Sequence, residues 1–370
     1  MHRTTLLFAL FALAGCGSSP ALRATPPPPP VEVEMEPVMV EATEDGQVEA
    51  FDAAGLFEEA QAAFARQDWP ACDAAFGRLI EKFPDSRYLH ASLYNRGLCL
   101  EYLRQHGLAA QHFRRHAQLS EDEKDRLDGL FRLGFNLVRG KQYYEAVHLY
   151  DQLLREAALG TADKAECHLR RGTAWMYLDK AGQAEKDLKL AMALTREAYE
   201  ELVDGNELFA EAHFRRGEIY QRLAHAVRLK LPVQSMKGDL AAKVRFFRQA
   251  QASYIDALNV RHSYWATASG LRLGELYEEF YRDVLGAEVP ADFDAETRRF
   301  YIVELKRQLQ PLLEQSLAIY EKNITMSERI GAQNEWVAET EARVKRLRSL
   351  IEETVRTTEP AEAPKGPSRG

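Results

Sequence analysis

Apolar residues fall into two regimes along this chain. Leu6 to Ala14 is an unbroken apolar run of about nine residues behind His2 and Arg3. That is too short to cross a bilayer as a helix, for which ~20 residues are needed, but it suits the apolar stretch of an export signal. From about residue 51 onward, apolar positions recur at helical spacing, element after element, with polar residues between them. Residues 17–50 belong to neither regime. They contain "TPPPPPVEVEMEPVMVEATEDGQ", in which Pro26–Pro30 favour an extended polyproline chain and the acidic remainder has little to bury.

The helical region is internally periodic. Gly97, Gly134 and Gly172 open "GLCLEYLRQHGLAAQHF", "GFNLVRGKQYYEAVHLY" and "GTAWMYLDKAGQAEKDL". Each is followed at fixed spacing by a small residue (Ala109, Ala146, Ala184) and, one helical turn later, by a bulky one (Phe113, Tyr150, Leu188). "AQAAFARQDWPACDAAFGRLIEKFPDS" is an earlier copy, with Ala60, Cys72 and Phe76 in the equivalent places. Two later copies are stretched. Gly217 pairs with Ala250, and Gly274 with Ser316, across insertions containing "LKLPVQSMKGDLAAKV" and "VLGAEVPADFDAETRRFY". Their Pro and Gly residues predict turns, and Asp294 sits where a helix N-cap belongs. A final amphipathic helix over about 334–353 places Trp336, Val344, Leu347 and Ile351 near one stripe.

This pattern resembles the tetratricopeptide repeat (TPR), in which a small residue lets helix A approach helix B and neighbouring pairs stack into a superhelix. The resemblance implies an all-α TPR-like solenoid with two long insertions and a C-terminal capping helix. The expected organisation is a signal peptide at 1–15, a lipidated cysteine with a disordered Pro-rich tether at 16–50, and tandem repeats at 51–200. Divergent repeats with the capping helix follow at 201–354, then a disordered tail at 355–370.

Leu13-Ala14-Gly15-Cys16 resembles the lipobox of bacterial lipoproteins, which implies a diacylglycerol and an N-acyl chain on Cys16. Several acyl chains hold a protein firmly to a membrane, at about 0.8 kcal/mol per buried CH₂. Gly17 rather than Asp after the cysteine implies, by similarity to enteric lipoproteins, the outer membrane, with the chain facing the periplasm. "LIEKFPDSRYLHASLYNRGLCL" is similar to the repeat junctions of BamD-type lipoproteins of barrel assembly. The stretch from "WATASGLRLGELYEEFY" to "PLLEQSLAIYEKN" looks more like TPR proteins of myxobacterial gliding-motility (Glt) complexes.

The formal charge of -8 argues against general nucleic-acid binding, which needs a clustered basic surface. No phosphate-binding glycine loop, zinc-protease or nucleophile-elbow motif occurs in the chain, so neither an enzyme nor a small-molecule substrate is expected. His112 and His116 share a helix face, but two arginines lie between them and no third ligand is near in sequence. Cys72, Cys99 and Cys167 fall within repeat helices. They are either buried thiols or, for Cys72 and Cys99 on successive helices, a bridge.

In the TPR family, residues two before the helix A glycine tend to face the groove. Here they are Asn95, Arg132, Arg170, Arg215 and Arg272, preceded at three places by Tyr94, Phe131 and Phe214. Two roles fit the arginines: forks for a partner's carboxylates, or helix formers whose stems cover apolar surface. The expected partners are envelope proteins or peptides docked in that groove, with no cofactor beyond the lipid.

Overall fold

The computed structural model describes residues 37–42 and 47–358. Cys16, the lipobox and Pro26–Pro30 lie outside the described residues, as does the tail from 359 onward. The chain divides into two units, one ending at Asp52 and one beginning at Ala53.

In the first unit, β1 (Val38–Ala42) pairs antiparallel with β2 (Val48–Asp52), Val40 facing Ala50. This corrects the expectation of a disordered tether through residue 50. Valines 38, 40 and 48 are β-branched and suit an extended, paired backbone better than a solvated coil.

The second unit is all-α, a TPR-like solenoid of helix pairs. Its regular part comprises α1 (Ala53–Ala65) with α2 (Trp69–Lys82), α3 (Leu89–Tyr102) with α4 (His106–Leu119), α5 (Glu123–Arg139) with α6 (Tyr143–Leu153), and α7 (Thr161–Tyr177) with α8 (Ala181–Ala198). The long pairs are α9 (Glu207–Ala226) with α10 (Val233–Asn259) and α11 (Ser263–Leu285) with α12 (Ala295–Ile330); α13 (Glu335–Thr358) closes the stack. Each even-numbered helix packs against its two odd-numbered neighbours, and from α5 to α13 the odd-numbered helices also touch one another. They form one continuous inner layer.

Local chemistry sets the ends of these helices. Asp68, Asp122, Asn206, Asp294 and Asn334 each accept a backbone N–H from the first turn that follows. The four regular A-to-B turns are built alike. Gln67, Arg104, Lys141 and Asp179 take left-handed φ values of 57–63°. The next residue in each case donates its N–H back over the helix end, Asp68 to Ala63, Gln105 to Leu100, Gln142 to Leu137 and Lys180 to Trp175, at 2.8–3.0 Å. Beside two of the turns an aromatic ring staples consecutive repeats: Trp69 stacks on Tyr102 at 4.0 Å and Tyr143 on Tyr177 at 5.0 Å.

The inferred glycine pairing is the packing of the core. A Cβ on Gly97 would lie 2.7 Å from the Phe113 ring, on Gly134 2.4 Å from the Tyr150 hydroxyl, on Gly217 2.5 Å from Tyr254 and on Gly274 2.1 Å from Tyr320. All four rings are buried. Ser316 adds a hydrogen bond to the Gly274 carbonyl at 2.9 Å.

The insertions are therefore lengthened helices rather than added domains. The repeat spacing would begin α10 at Phe247 and α12 at Leu313, yet they begin at Val233 and Ala295. One buried cation holds the first extension. Lys243 Nζ donates to the Ala224 carbonyl at 2.6 Å, in the last turn of α9, and to Asp283 of α11 at 2.7 Å. The capping helix buries Val344 and Leu347, with Trp336 and Ile351 packed at the margin. It runs on to Thr358, which corrects the expectation of disorder for residues 355–358; the rest of that expected tail lies outside the described residues.

These contacts set opposite expectations for two glycines. Gly274→Ala must push Tyr320 aside, and its urea unfolding free energy should fall by about 1–3 kcal/mol. Gly238→Ala, inside α10 with nothing within 4 Å of the new Cβ, should gain about 0.5–1 kcal/mol.

Candidate functional site

The odd-numbered helices present the arginines singled out above, and the structure shows what each one meets. Arg132 reaches back to Glu101 of α3 at 3.1 Å. Arg170 joins Glu166 on its own helix at 3.2 Å and Glu211 on α9 at 2.7 Å. Arg215 binds the same Glu211 at 3.0 Å and Glu218 at 2.8 Å. Arg272 spans Glu218 at 3.5 Å and Glu275 at 2.6 Å. Arg343 of the capping helix takes Glu275 at 2.6 Å, Glu278 at 3.7 Å and Glu339 at 2.9 Å. From Glu166 to Glu339 the contacts form an unbroken chain of alternating charge through α7, α9, α11 and α13.

Each of these arginines already has a carboxylate of the protein as its partner. From α7 onward each sits between carboxylates of the protein itself. Burial makes the matching necessary. The Arg170 and Arg215 side chains are 16% and 14% exposed and that of Glu211 is 4% exposed, and a buried unpaired charge is strongly destabilising. Burial alone would raise the Glu211 carboxyl, but Arg170 and Arg215 outweigh it and hold the group below the usual glutamate range. The arginine planes also cover aromatic rings, Arg215 over Trp265 at 5.3 Å and Arg272 over Trp336 at 5.7 Å.

The aromatic candidates divide. Phe214 is fully buried among Tyr254, Trp265 and Trp336, so it is core and not a groove anchor. Tyr94 is half-buried with its ring edge-on to Phe113 at 5.4 Å, and Phe131 is half-buried against the second core cluster. Asn95 is half-exposed on α3. Of the arginines in the set, Arg132 alone is more than a third exposed, at 44%.

The glutamates escaped the sequence reading, although "RRGE" and "RLGE" carry a signal for two of them. Arg215 with Glu218, and Arg272 with Glu275, are i, i+3 pairs straddling the packing glycine. Glu279 is the carboxyl left outside this chain of charge. It accepts the Gln221 amide at 2.9 Å, and burial holds its carboxyl above the usual range. It lines a cavity of about 230 Å³ with Glu218, Gln221, Arg222, His225 and Arg272. A second cavity, about 330 Å³, opens between α4, α5 and α6 over Leu130, Leu133, Leu137 and Leu149. The first is lined by mixed charge, and the leucines give the second its apolar part.

The remaining chemical candidates have structural partners. His116 lies between the carbonyls of His90 and Asp125 and stacks on the His90 ring at 3.9 Å. His112 is pushed down to about 4, by burial first and then by Arg96. Among the described residues no group of three His, Cys, Asp or Glu side chains is placed to hold a metal ion. Cys72 and Cys99 form a disulfide joining α2 to α3, with Cα atoms 6.2 Å apart. Cys167 is a buried free thiol, pushed up to about 12 chiefly by burial.

No family model matches this chain, and no curated protein matches it in sequence. Among solved structures it is similar to a tetratricopeptide repeat protein from Parabacteroides merdae, at 14% identity over 83% of this chain and 98% of that one, TM-score 0.39. The apo form of RapI is similar at 12% identity over 83% and 96%, TM-score 0.43. MamA (residues 41 to the end) from Desulfovibrio magneticus RS-1 is similar at 15% identity over 54% and 96%, TM-score 0.35. The helix pairs and inner layer described above make this chain a TPR-like solenoid of helical repeats.

The charge chain sets a testable contrast. Glu211→Gln leaves two buried guanidinium groups short of a counter-charge and should cost about 3 kcal/mol or more in urea unfolding. Arg132→Gln, outside the chain and paired with Glu101 at a more exposed position, should cost under about 1 kcal/mol. The lowered Glu211 value adds a pH signature. Its ionisation stabilises the fold fully above the usual glutamate range and loses that effect as pH falls through the lowered value. Wild type should therefore lose more stability than Glu211→Gln between pH 5 and pH 2, as read from paired urea titrations.

Proposed function

We propose that this protein is a non-enzymatic, membrane-anchored scaffold that docks envelope proteins in the periplasm as part of a gliding-motility complex. The observation that carries the anchoring is the sequence Leu13-Ala14-Gly15-Cys16 behind a short apolar run; on this reading Cys16 is acylated and seated in the outer membrane. The Cys72–Cys99 bridge agrees with this reading, since structural disulfides persist in oxidising compartments outside the cytosol. The docking role draws support from the inner layer of odd-numbered helices, continuous from α5 to α13. The assignment to motility draws on the resemblance of the Trp265–Asn323 region to gliding-complex TPR proteins. Barrel assembly, or a secretion or pilus scaffold, is the second reading, favoured by the repeat junction around "LIEKFPDSRYLHASLYNRG".

In-cell cross-linking followed by detergent extraction and mass spectrometry tests the assignment, with alkyne-palmitate labelling as the readout of the anchor. Wild type should carry the label and recover gliding-complex subunits. Cys16→Ser should lose both. Barrel-assembly subunits in their place select the second reading, and an unlabelled wild type overturns the anchor.

A further inference from the structure

The first insertion has a charge character opposite to that of the chain. Residues 225–250 hold six lysines and arginines and a single carboxylate, Asp239, in a protein of formal charge -8. Lys243 is the buried member, held by Asp283 and the Ala224 carbonyl. The other five, Arg228, Lys230, Lys237, Arg245 and Arg248, are exposed. None of the five makes an ion pair among the described residues, in contrast to the arginines of the inner layer from α7 onward.

Three cations converge. Arg228 and Lys230, in the loop after α9, and Arg282, in the last turn of α11, line one cavity of about 350 Å³. Two carboxylates border it, and both are engaged. Asp283 holds Lys243 at 2.7 Å and His225 at 3.2 Å. Glu288 accepts the Leu231 N–H at 2.8 Å while its own N–H donates to the Leu229 carbonyl at 3.1 Å. Glu288 thereby ties the two loops together and fixes the walls of the cavity. Cations near helix C-termini offset the helix dipole. Lys243 and Arg282 already meet that demand, the latter through Nε to the Glu278 carbonyl at 3.4 Å. Arg228 and Lys230 lie beyond the helix end.

We propose that this cavity is a docking site for an acidic segment of a partner protein, with carboxylates received by Arg228, Lys230 and Arg282. Guanidinium forks pair with carboxylates in bidentate fashion, which favours this occupant. A bilayer presents a plane of phosphates, and the three cations surround a concavity that a plane does not enter. The site lies apart from the chain of charge on the inner layer, so its test can fail while the anchor and the scaffold reading stand.

Fluorescence anisotropy with a labelled oligoglutamate peptide and the full chain tests it. Wild type should bind the peptide, with affinity falling as salt is raised. The variant carrying Arg228→Gln, Lys230→Gln and Arg282→Gln should bind about tenfold or more weakly. Arg307→Gln, on α12 and paired with Glu304 away from this cavity, should bind as wild type does. All three replaced side chains are exposed, and an unchanged thermal unfolding curve confirms that the variant is folded. Absence of binding by wild type, or equal binding by the triple variant, overturns the proposal. So does binding of phosphatidylglycerol vesicles that the triple variant abolishes while oligoglutamate stays unbound, which would assign the cavity to lipid headgroups.

Discussion

The close approach of helix A to helix B at a glycine governs this fold. A ring from helix B occupies the space where a side chain on helix A would begin, at Gly97, Gly134, Gly217 and Gly274. Interiors packed to this density leave no freedom to slide one helix along the other. Register within each pair is thus set by a single contact, and it holds whether helix B is 11 residues long, as in α6, or 36, as in α12. The insertions are tolerated because they lengthen the helices away from this contact.

With register fixed, the inner layer places ionisable side chains from consecutive repeats at hydrogen-bonding distance, and burial then demands that they match. The result is the alternating row from Glu166 to Glu339. Such a row contributes little as net stability compared with well-packed apolar residues, since desolvation offsets most of the attraction. Its charges are matched in this form only with α7, α9, α11 and α13 in this order. A protein partner that enters this face meets charges already satisfied and must exchange with them. The unmatched cations of the first insertion are accessible without such exchange.

The repeats, their phase and even the stretched pairings Gly217–Ala250 and Gly274–Ser316 were legible in the sequence, because small residues at corresponding places in the repeats leave a direct trace. Asp294 as an N-cap and the stripe of the last helix were legible for the same local reason. The partners of the arginines were not. Arg170–Glu211 and Arg343–Glu275 cross between helices that are distant in sequence, so no helical spacing betrays them. Phe214 was misread for a related reason: the α9 face that turns toward the groove in a regular repeat is here covered by Trp265 and Trp336. The β1–β2 pairing was masked by the Pro-rich, acidic composition of the segment around it.

The left-handed turn residues Gln67, Arg104, Lys141 and Asp179 make the first four helix pairs near-copies of one another, whereas the chain of charge makes the later ones individual. Removal of the α9–α10 pair would bring α11 to Arg170, and the residue six before Gly274, where Glu211 stands relative to Gly217, is Ala268. The guanidinium would face a methyl group. Gain or loss of whole repeats, the ordinary route by which solenoids change length in evolution, is therefore open to the N-terminal half of this protein and closed to its C-terminal half.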